Sequence, residues 1–386
     1  MINLTKKLYD ENAYRVSFSG TVLACEEGEG GYRVVLDQTV FFPEEGGQKA
    51  DKGSLGGIAV SDVKIKNGVI YHIMERPLTP GEAVDGKIDF TDRFRKMQNH
   101  SAEHIVSGLV YRLYGFHNVG FHLGDDTVTL DFDGVLERPD LTRLEQEANR
   151  AVFDNLTVKA EYPPPEVLSS LSYRSKLDLK ENVRIVTIPG IDVCACCAPH
   201  VSRTGEIGLI KLTDYMHYKG GVRITLHAGW DAYRDYSEKY LSVLSVANLL
   251  SAKQEEVFYA VTNKTNALNQ ALAELKQVKK ALIRKETETI QPSDGVLCLF
   301  VDENDRDLLR ERANMALERQ KDTVLVVGSN SATGKPYFLV SAKRPLRQYI
   351  SAIQTALGGK GGGKDDMVQG SLTASPEEIV SFFSSL

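Results

Sequence analysis

Residues 91–115 read TDRFRKMQNHSAEHIVSGLVYRLYG, and this stretch contains two histidines four residues apart. Apolar side chains recur here at nearly 3.6-residue spacing, the pattern of an amphipathic helix. These are Phe94, Met97, Ile105, Leu109 and Leu113. Thr91 or Asp92 is a suitable N-cap residue, and Gly115 can end the helix. The spacing predicts one long helix that carries His100 and His104 on the same face, one turn apart.

Two imidazoles four residues apart on a helix can reach one metal ion. A second pair with the same offset, Cys196 and His200, follows an extended apolar run. Thiolate and imidazole are the ligands that zinc prefers, so the two pairs together predict one tetrahedral zinc site. The four candidate ligands are His100, His104, Cys196 and His200. Cys194 and Cys197 also fit the thiolate position by spacing, although the matching offset favours Cys196.

The segments on either side of the helix read as a mixture of strands and helices. Short apolar runs separated by glycine-rich and acidic turns fill residues 1–90 and predict a small β-barrel-like domain. Beyond the helix, residues 127–133 alternate with period two, and residues 141–156 have a helical pattern. We therefore predict an α+β domain over 91–235 that carries the zinc site and follows the barrel.

The third part of the chain is helical. Residues 236–284 contain no proline and no glycine, and apolar side chains recur there in threes and fours. They are Phe258, Val261, Leu268, Leu272, Leu275 and Leu282. This predicts a coiled-coil linker over 236–290, as a hairpin or a dimer arm; one long amphipathic helix packed on its own domain is the alternative. A β-α-β pattern after Pro292 then predicts a compact α/β domain over 291–386.

Composition limits the possible function classes. The hydrophobic fraction of 42% and the charged fraction of 25% are those of a soluble globular protein. No apolar run approaches the ~20 residues that cross a membrane, and no signal peptide is evident, so we expect a cytoplasmic protein without a membrane partner. The net charge of −6 argues against binding nucleic acid through bulk charge alone. A local basic cluster remains available near the C-terminus: Lys335, Lys343, Arg344, Arg347, Lys360 and Lys364.

Four segments of the chain share a pattern with one known family. They are FFPEEGGQ at 41–48 with Asp51 and Gly53 after it, NHSAEH at 99–104, VCACCAPHV at 193–201, and GGKGGGKDDMVQG at 358–370. In this order they resemble the free-standing alanyl-tRNA editing proteins in their long form, which are related to the editing and C-terminal domains of alanyl-tRNA synthetase. The resemblance covers essentially the whole chain.

The resemblance implies a trans-editing hydrolase that removes serine or glycine from mischarged alanine tRNA. It implies one zinc ion per chain, bound by the two pairs described above. Gln48 would orient a water molecule or bind the amino acid, and Glu103 would act as a base or as a partner of a ligand histidine. A C-terminal DHHA1-like domain would bind tRNA through Lys343, Arg344, Arg347, Gly359, Lys360, Gly361, Gly362, Gly363 and Lys364. A homodimer through the helical arm and this domain is compatible with the pattern.

The sequence departs from the family pattern between the Cys and His ligands. Cys197, Ala198 and Pro199 replace Gly-Gly-Thr, and proline lacks an amide N–H. This change affects hydrogen bonds to the substrate and could alter which amino acid is accepted. Four protein ligands also describe a closed site, whereas a catalytic zinc keeps one position open. Such an ion would become five-coordinate, lose one ligand, or only orient the substrate.

Two other functions are compatible with parts of the pattern. His100 and His104 fit the H-x-x-E-H motif of inverted zinc peptidases with Glu103 as base, but that reading leaves Cys196 and His200 unexplained. A non-catalytic tRNA-binding protein with a structural zinc is the second alternative. The C-terminal domain type also occurs in DHH phosphoesterases, yet the sequence has no Asp-His-His triplet.

Overall fold

The computed structural model describes residues 4–28, 30–125, 127–175, 183–293, 295–320, 323–329, 337–342 and 345–385. It has the mixed α+β architecture that the sequence predicts. Two compact units make up the chain, Met1–Ser245 and Val246–Leu386, and each is described here by itself. The finer division of the chain at residues 90, 235 and 290 stays a prediction.

A closed barrel occupies the N-terminal part of the first unit, and its strands follow the order β2-β3-β7-β6-β5-β8. The strands are β1 Lys6–Lys7, β2 Ser17–Gly28, β3 Gly31–Leu36, β4 Gln38–Thr39, β5 Gly53–Leu55, β6 Ile58–Lys66, β7 Val69–Met74 and β8 Ala83–Ile88, with helix α1 at Leu8–Glu11. Buried and exposed side chains alternate along β8, which is the period of a strand with one face in the core. The segment 40–52 leaves this barrel and carries the loop around Gln48.

Helix α2, Phe90–Tyr114, is the central element of the unit. Its N-cap is Asp89, whose carboxylate accepts hydrogen bonds from the backbone N–H groups of Thr91 and Asp92. The predicted cap at Thr91 or Asp92 is therefore wrong, because the carboxylate before them satisfies the free amides of the first turn. The helix ends at Gly115 in the left-handed conformation, with φ of 75°.

The rest of the first unit packs around α2. It contains β9 Asn118–Leu123, β10 Val128–Phe132, α3 Arg138–Phe153, β11 Lys159–Glu161, α4 Pro165–Ser170, β12 Ile185–Ile188, β13 Asp192–Ala195, β14 Ile210–Tyr218, β15 Gly221–Ala228 and α5 Trp230–Leu250. One sheet has the order β14-β15-β10-β9, and a second has the order β11-β12-β13. Helix α3 starts three residues before the predicted 141, because Glu137 and Asp140 form a capping box.

The second unit combines a long helix with an α/β domain. Its elements are α6 Val257–Glu288, β16 Gly295–Val301, α7 Arg306–Glu318, β17 Thr323–Ser329, β18 Tyr337–Ala342, α8 Ile350–Leu357, β19 Gly359–Gly363, β20 Met367–Leu372 and α9 Pro376–Ser384. The sheet order is β16-β17-β18-β20-β19. The predicted helical stretch is divided after α5, where Ser251 adopts a φ of 51°. Within the described residues, every helix is too short or too polar to cross a bilayer.

The glycine-rich segment forms a strand in this sheet. Gly359–Gly363 is β19, and it pairs antiparallel with β20. A Cβ atom at Gly361 would lie 2.6 Å from the Gln369 carbonyl oxygen, so glycine permits the close approach of the two backbones. The predicted role of the segment in binding tRNA stays a prediction. Lys335, Lys343 and Arg344 lie outside the described residues.

Candidate metal centre

The four predicted ligands lie together although α2 and the loop after β13 are far apart in sequence. One ligand atom from each of His100, His104, Cys196 and His200 lies within 4.8 Å of the other three. The Nε2 atoms of His100 and His200 are 3.5 and 3.7 Å from Cys196 Sγ. Ligand atoms bonded to one tetrahedral zinc ion at ~2.0–2.3 Å have about this separation. The geometry fits one small ion, and the donor types fit zinc.

An unpaired buried nitrogen points to the same conclusion. His104 Nε2 is buried and accepts or donates no hydrogen bond within the described part of the chain. Such an atom costs stability unless a partner is bound. A metal ion at the centre of the four ligands would supply that partner. This set contains Cys196, whereas Cys194 belongs to a separate group with His104 and Asp192.

The protonation states of two ligands suit metal binding. Burial by itself raises the pKa of the Cys196 thiol, but His100 and His200 outweigh burial and hold that pKa well below its usual value. Burial lowers the pKa of His200 to about 3. A thiolate and a neutral imidazole are the forms that coordinate zinc.

Asp192 and Arg174 fix the orientation of His104. Asp192 Oδ2 accepts a hydrogen bond of 2.9 Å from His104 Nδ1, which directs Nε2 toward the other ligands. Arg174 donates two hydrogen bonds of 2.7 Å to the same carboxylate. Burial tends to lower the pKa of His104, but Glu103 and Asp192 outweigh it and raise that pKa well above its usual value. Metal binding would therefore displace a proton from this ring.

Gln48 fixes the orientation of the His100 ring in the same way. It is fully buried, and its Oε1 accepts a hydrogen bond of 2.9 Å from His100 Nδ1. The loop before it turns at Gly47, which has a φ of 83°. Glycine is required there because a Cβ atom would lie only 2.7 Å from the Phe121 carbonyl oxygen. Gln48 is absent from the described lining of the cavity beside the ligands. This placement favours a positioning role over the direct one that the sequence suggested.

Glu103 faces the cavity. Its Oε1 accepts hydrogen bonds from Ser107 Oγ at 2.7 Å and from Asn118 Nδ2 at 2.9 Å. Its Oε2 lies 3.9 Å from His104 Nε2, the nitrogen without a partner. Two donors on one oxygen hold the carboxylate in a single orientation, and the second oxygen is left beside the metal position. Of the two residues predicted to be catalytic, Glu103 lines the cavity and Gln48 is absent from its described lining; their catalytic roles stay predictions.

Comparison with known proteins gives matches along the whole chain. Residues 14–92 match the family described as tRNA synthetases class II (A), residues 183–225 the threonyl and alanyl tRNA synthetase second additional domain, and residues 293–386 the DHHA1 domain. The alanyl-tRNA editing protein AlaX-L of Pyrococcus horikoshii is 28% identical over 97% of this chain and 96% of its own length. The alanyl-tRNA editing protein Aarsd1 of Mus musculus is 26% identical over 95% and 94%.

Over nearly its whole length, this chain is similar to the alanyl-tRNA editing proteins. It is also 30% identical to the alanine–tRNA ligase of Natronomonas pharaonis over 97% of this chain, but it spans only 44% of that ligase. Among solved structures, the C-Ala domain from Aquifex aeolicus alanyl-tRNA synthetase matches with 23% identity and a TM-score of 0.21, covering 25% of this chain and 96% of that domain.

Three of the four candidate ligands, His100, His104 and Cys196, line a cavity of about 880 Å³. His117 lines the cavity, whereas His122 is absent from its described lining. Asp192, Arg174 and Asn118 also contribute to this site, although none of them was predicted from the sequence. Only the position of Asp192, an acidic residue two positions before Cys194, could have indicated from the sequence that it belongs to the site. Arg174 and Asn118 had no recognisable pattern.

We expect Asp192→Asn to weaken zinc binding by this protein about 10- to 100-fold, the usual effect of losing a carboxylate behind a ligand histidine. The amide is a poorer acceptor for His104 Nδ1–H and leaves Arg174 without a counter-charge. Competition with a chromophoric chelator measures the dissociation constant. Asp131→Asn is the matched control, because Asp131 binds Arg223 through two hydrogen bonds away from the ligands. Equal zinc affinity of wild type and Asp192→Asn would contradict the orienting role.

Proposed function

We propose that this protein is a zinc-dependent aminoacyl-tRNA deacylase that removes serine, and also glycine, from mischarged alanine tRNA in trans. One observation carries the proposal: four zinc-type ligands converge, three of them line a cavity, and Glu103 Oε2 lies in the same cavity 3.9 Å from His104 Nε2. Its similarity to two alanyl-tRNA editing proteins supports alanine tRNA as the substrate. Such a substrate places the activity in the cytoplasm.

The residues of the chain divide the work at this site. His100, His104, Cys196 and His200 would hold the ion, which when bound supplies a Lewis acid and lowers the pKa of water. Glu103 Oε2 is positioned to accept the proton of the attacking water. Ser107 and Asn118 hold that carboxylate through Oε1, while Gln48 and Asp192 fix two imidazoles. An aminoacyl ester is an activated bond, so this modest set of groups suffices.

The test of the function is a deacylation assay with charged alanine tRNA. Purified protein is mixed separately with alanine tRNA that carries serine, glycine or alanine, and the released amino acid is measured. We expect release of serine and glycine, and retention of alanine. Cleavage of unstructured peptides without any deacylation would instead favour the inverted zinc peptidase. Binding of tRNA without release of any amino acid would favour a non-catalytic protein with a structural zinc.

We expect Glu103→Gln to lower the turnover of serine-charged alanine tRNA about 100-fold, as is typical for loss of a general base. The amide keeps the size of the side chain but cannot accept a proton. Zinc content, measured by mass spectrometry, should remain at one ion per chain. Glu166→Gln is a suitable control, because Glu166 is exposed on α4 and absent from the described cavity lining. Unchanged turnover in Glu103→Gln would remove Glu103 from the mechanism.

The second unit supports a role in binding the tRNA. Lys360 and Lys364 are exposed on and beside β19, and Arg347 is exposed before α8. Positive side chains of this kind contact phosphates and fix the position of an RNA without reading its sequence. We propose that they bind the body of the tRNA, together with the glycines of β19. The residues proposed here are Arg347, Gly359, Lys360, Gly361, Gly362, Gly363 and Lys364.

A homodimer is proposed through the long helix. Several apolar side chains of α6 are half or more exposed: Phe258, Leu268, Leu272, Leu275, Val278 and Leu282. Their spacing of three, four and seven residues is that of a coiled-coil seam. Contiguous exposed apolar surface of this kind marks an interaction site in a soluble protein.

A further inference from the structure

The cavity is larger than the amino acid that the proposed reaction releases. Its volume is about 880 Å³, and pockets of ~300–1,000 Å³ enclose ligands of drug size. A seryl or glycyl group at the metal ligands would fill only a small part of it. The lining continues along α2 from His104 through Gly108 to Tyr111 and Arg112. The remaining space is therefore available to the group to which the amino acid is esterified.

Two aromatic rings, those of Tyr111 and His117, line the cavity near the C-terminal end of α2. Tyr111 is 47% exposed, and its ring centroid lies 5.2 Å from that of His117, with an interplanar angle of 55°. His117 is held by Asp133, which accepts hydrogen bonds from the His117 backbone N–H at 2.7 Å and from its ring at 3.2 Å. A large tyrosine ring left half exposed beside a second fixed ring offers a stacking surface. Unpaired bases of RNA stack on aromatic side chains of this kind.

The spacing between these rings and the ligands suits a nucleotide ester. Tyr111 follows His104 by seven residues, about two turns and ~10 Å along one helix face. A ribose with its base spans a length of this order when its ester carbonyl lies at the metal ligands. Arg112 also lines the cavity and donates one guanidinium hydrogen bond to the Gly190 carbonyl oxygen. That contact fixes the side chain, and a guanidinium offers further donors to a phosphate.

We propose that Tyr111, His117 and Arg112 form the binding site for the 3′-terminal nucleotide of the charged RNA, with the base against Tyr111 and His117 and a phosphate at Arg112. This inference rests on the proposed function, because the ester bond is what joins the nucleotide to the amino acid at the metal ligands. The site would make the protein selective for aminoacyl esters of RNA over simple amino-acid esters.

The first experiment measures binding without catalysis. The whole protein is titrated with the fluorescently labelled trinucleotides CpCpA and CpCpC, and anisotropy gives the dissociation constants. We expect tighter binding of CpCpA, because a purine stacks better than a pyrimidine. Tyr111→Ala should weaken CpCpA binding about tenfold, and Tyr111→Phe should bind as wild type does. Tyr162→Ala is the matched control, since Tyr162 is a half-exposed tyrosine of the same cavity whose hydroxyl donates to Asp10.

The second experiment separates the nucleotide from the amino acid. Tyr111→Ala should raise KM for serine-charged alanine tRNA about tenfold with little change in kcat, and should not change the hydrolysis of serine ethyl ester. Wild-type affinity of Tyr111→Ala for CpCpA, or an equal loss of activity on both esters, would overturn the inference. If wild type binds CpCpA through Tyr111 but releases no amino acid from charged tRNA, the proposed function fails and the nucleotide site stands.

Discussion

His104→Ala is expected to leave the purified protein without bound zinc and to reduce serine release from charged alanine tRNA by more than about 100-fold. Loss of an outer hydrogen-bond partner of a ligand already costs ~10–100-fold, and loss of the ligand itself costs more. His104 also joins the two sides of the site, because its Nδ1 bonds Asp192 while its Nε2 faces Cys196 and Glu103. The measurements are zinc per chain by mass spectrometry and serine release.

The control for this variant is His217→Ala. His217 is an exposed histidine of β14, and it is absent from the described lining of the cavity. We expect that variant to keep one zinc ion per chain and the turnover of wild type. Circular dichroism should show that both variants are folded. Full activity of a zinc-free His104→Ala protein would discard the metal from the mechanism.

Asp51→Ala is expected to lower the free energy of unfolding of the first unit by about 3–5 kcal/mol, since it leaves the buried Arg93 without its counter-charge. Both side chains of this pair are fully buried. Arg93 Nε lies 2.9 Å from Asp51 Oδ1, and the remaining guanidinium groups donate to the carbonyl oxygens of Ala13 and Val40. Asp51 also accepts from the Phe42 N–H at 2.6 Å.

The pair matters for the site as well as for stability. Asp51 ends the segment that carries Gln48, and Arg93 lies on α2 two turns before His100. The ion pair therefore docks the Gln48 loop on the helix that carries two ligands. Lys96 adds a second attachment by donating to the Ala50 carbonyl oxygen at 2.6 Å. We also expect the folded fraction of Asp51→Ala to bind zinc less tightly than wild type does.

Urea unfolding followed by fluorescence measures the loss of stability. Trp230 is the only tryptophan of the chain and lies in the first unit, so its signal reports on that unit. Asp131→Ala is the control, because the Asp131–Arg223 pair is partly exposed and such pairs contribute ~1 kcal/mol or less. A double change, Asp51→Leu with Arg93→Met, should be less damaging than Asp51→Ala, since it removes both charges. Equal stability of Asp51→Ala and wild type would contradict this account.

The sequence determined the parts of the protein that depend on local patterns. Spacing near 3.6 residues predicted the helix that became α2, and a four-residue offset predicted which histidines and which cysteine converge. The choice among Cys194, Cys196 and Cys197 followed from the same offset. Alternation and turn residues predicted an α+β chain with a separate C-terminal α/β region. Each of these features depends on neighbours within a few turns or strands, so it can be recognised in the sequence itself.

Only the tertiary structure decided what surrounds the ligands. Gln48 is 52 residues from His100, and Asp192 is 88 residues from His104, yet each fixes an imidazole. A hydrogen bond between residues so far apart leaves no periodic signal, because the chain folds back through a barrel and two sheets before the partners meet. Which groups touch the metal site, and from which side, is therefore a property of packing and not of spacing.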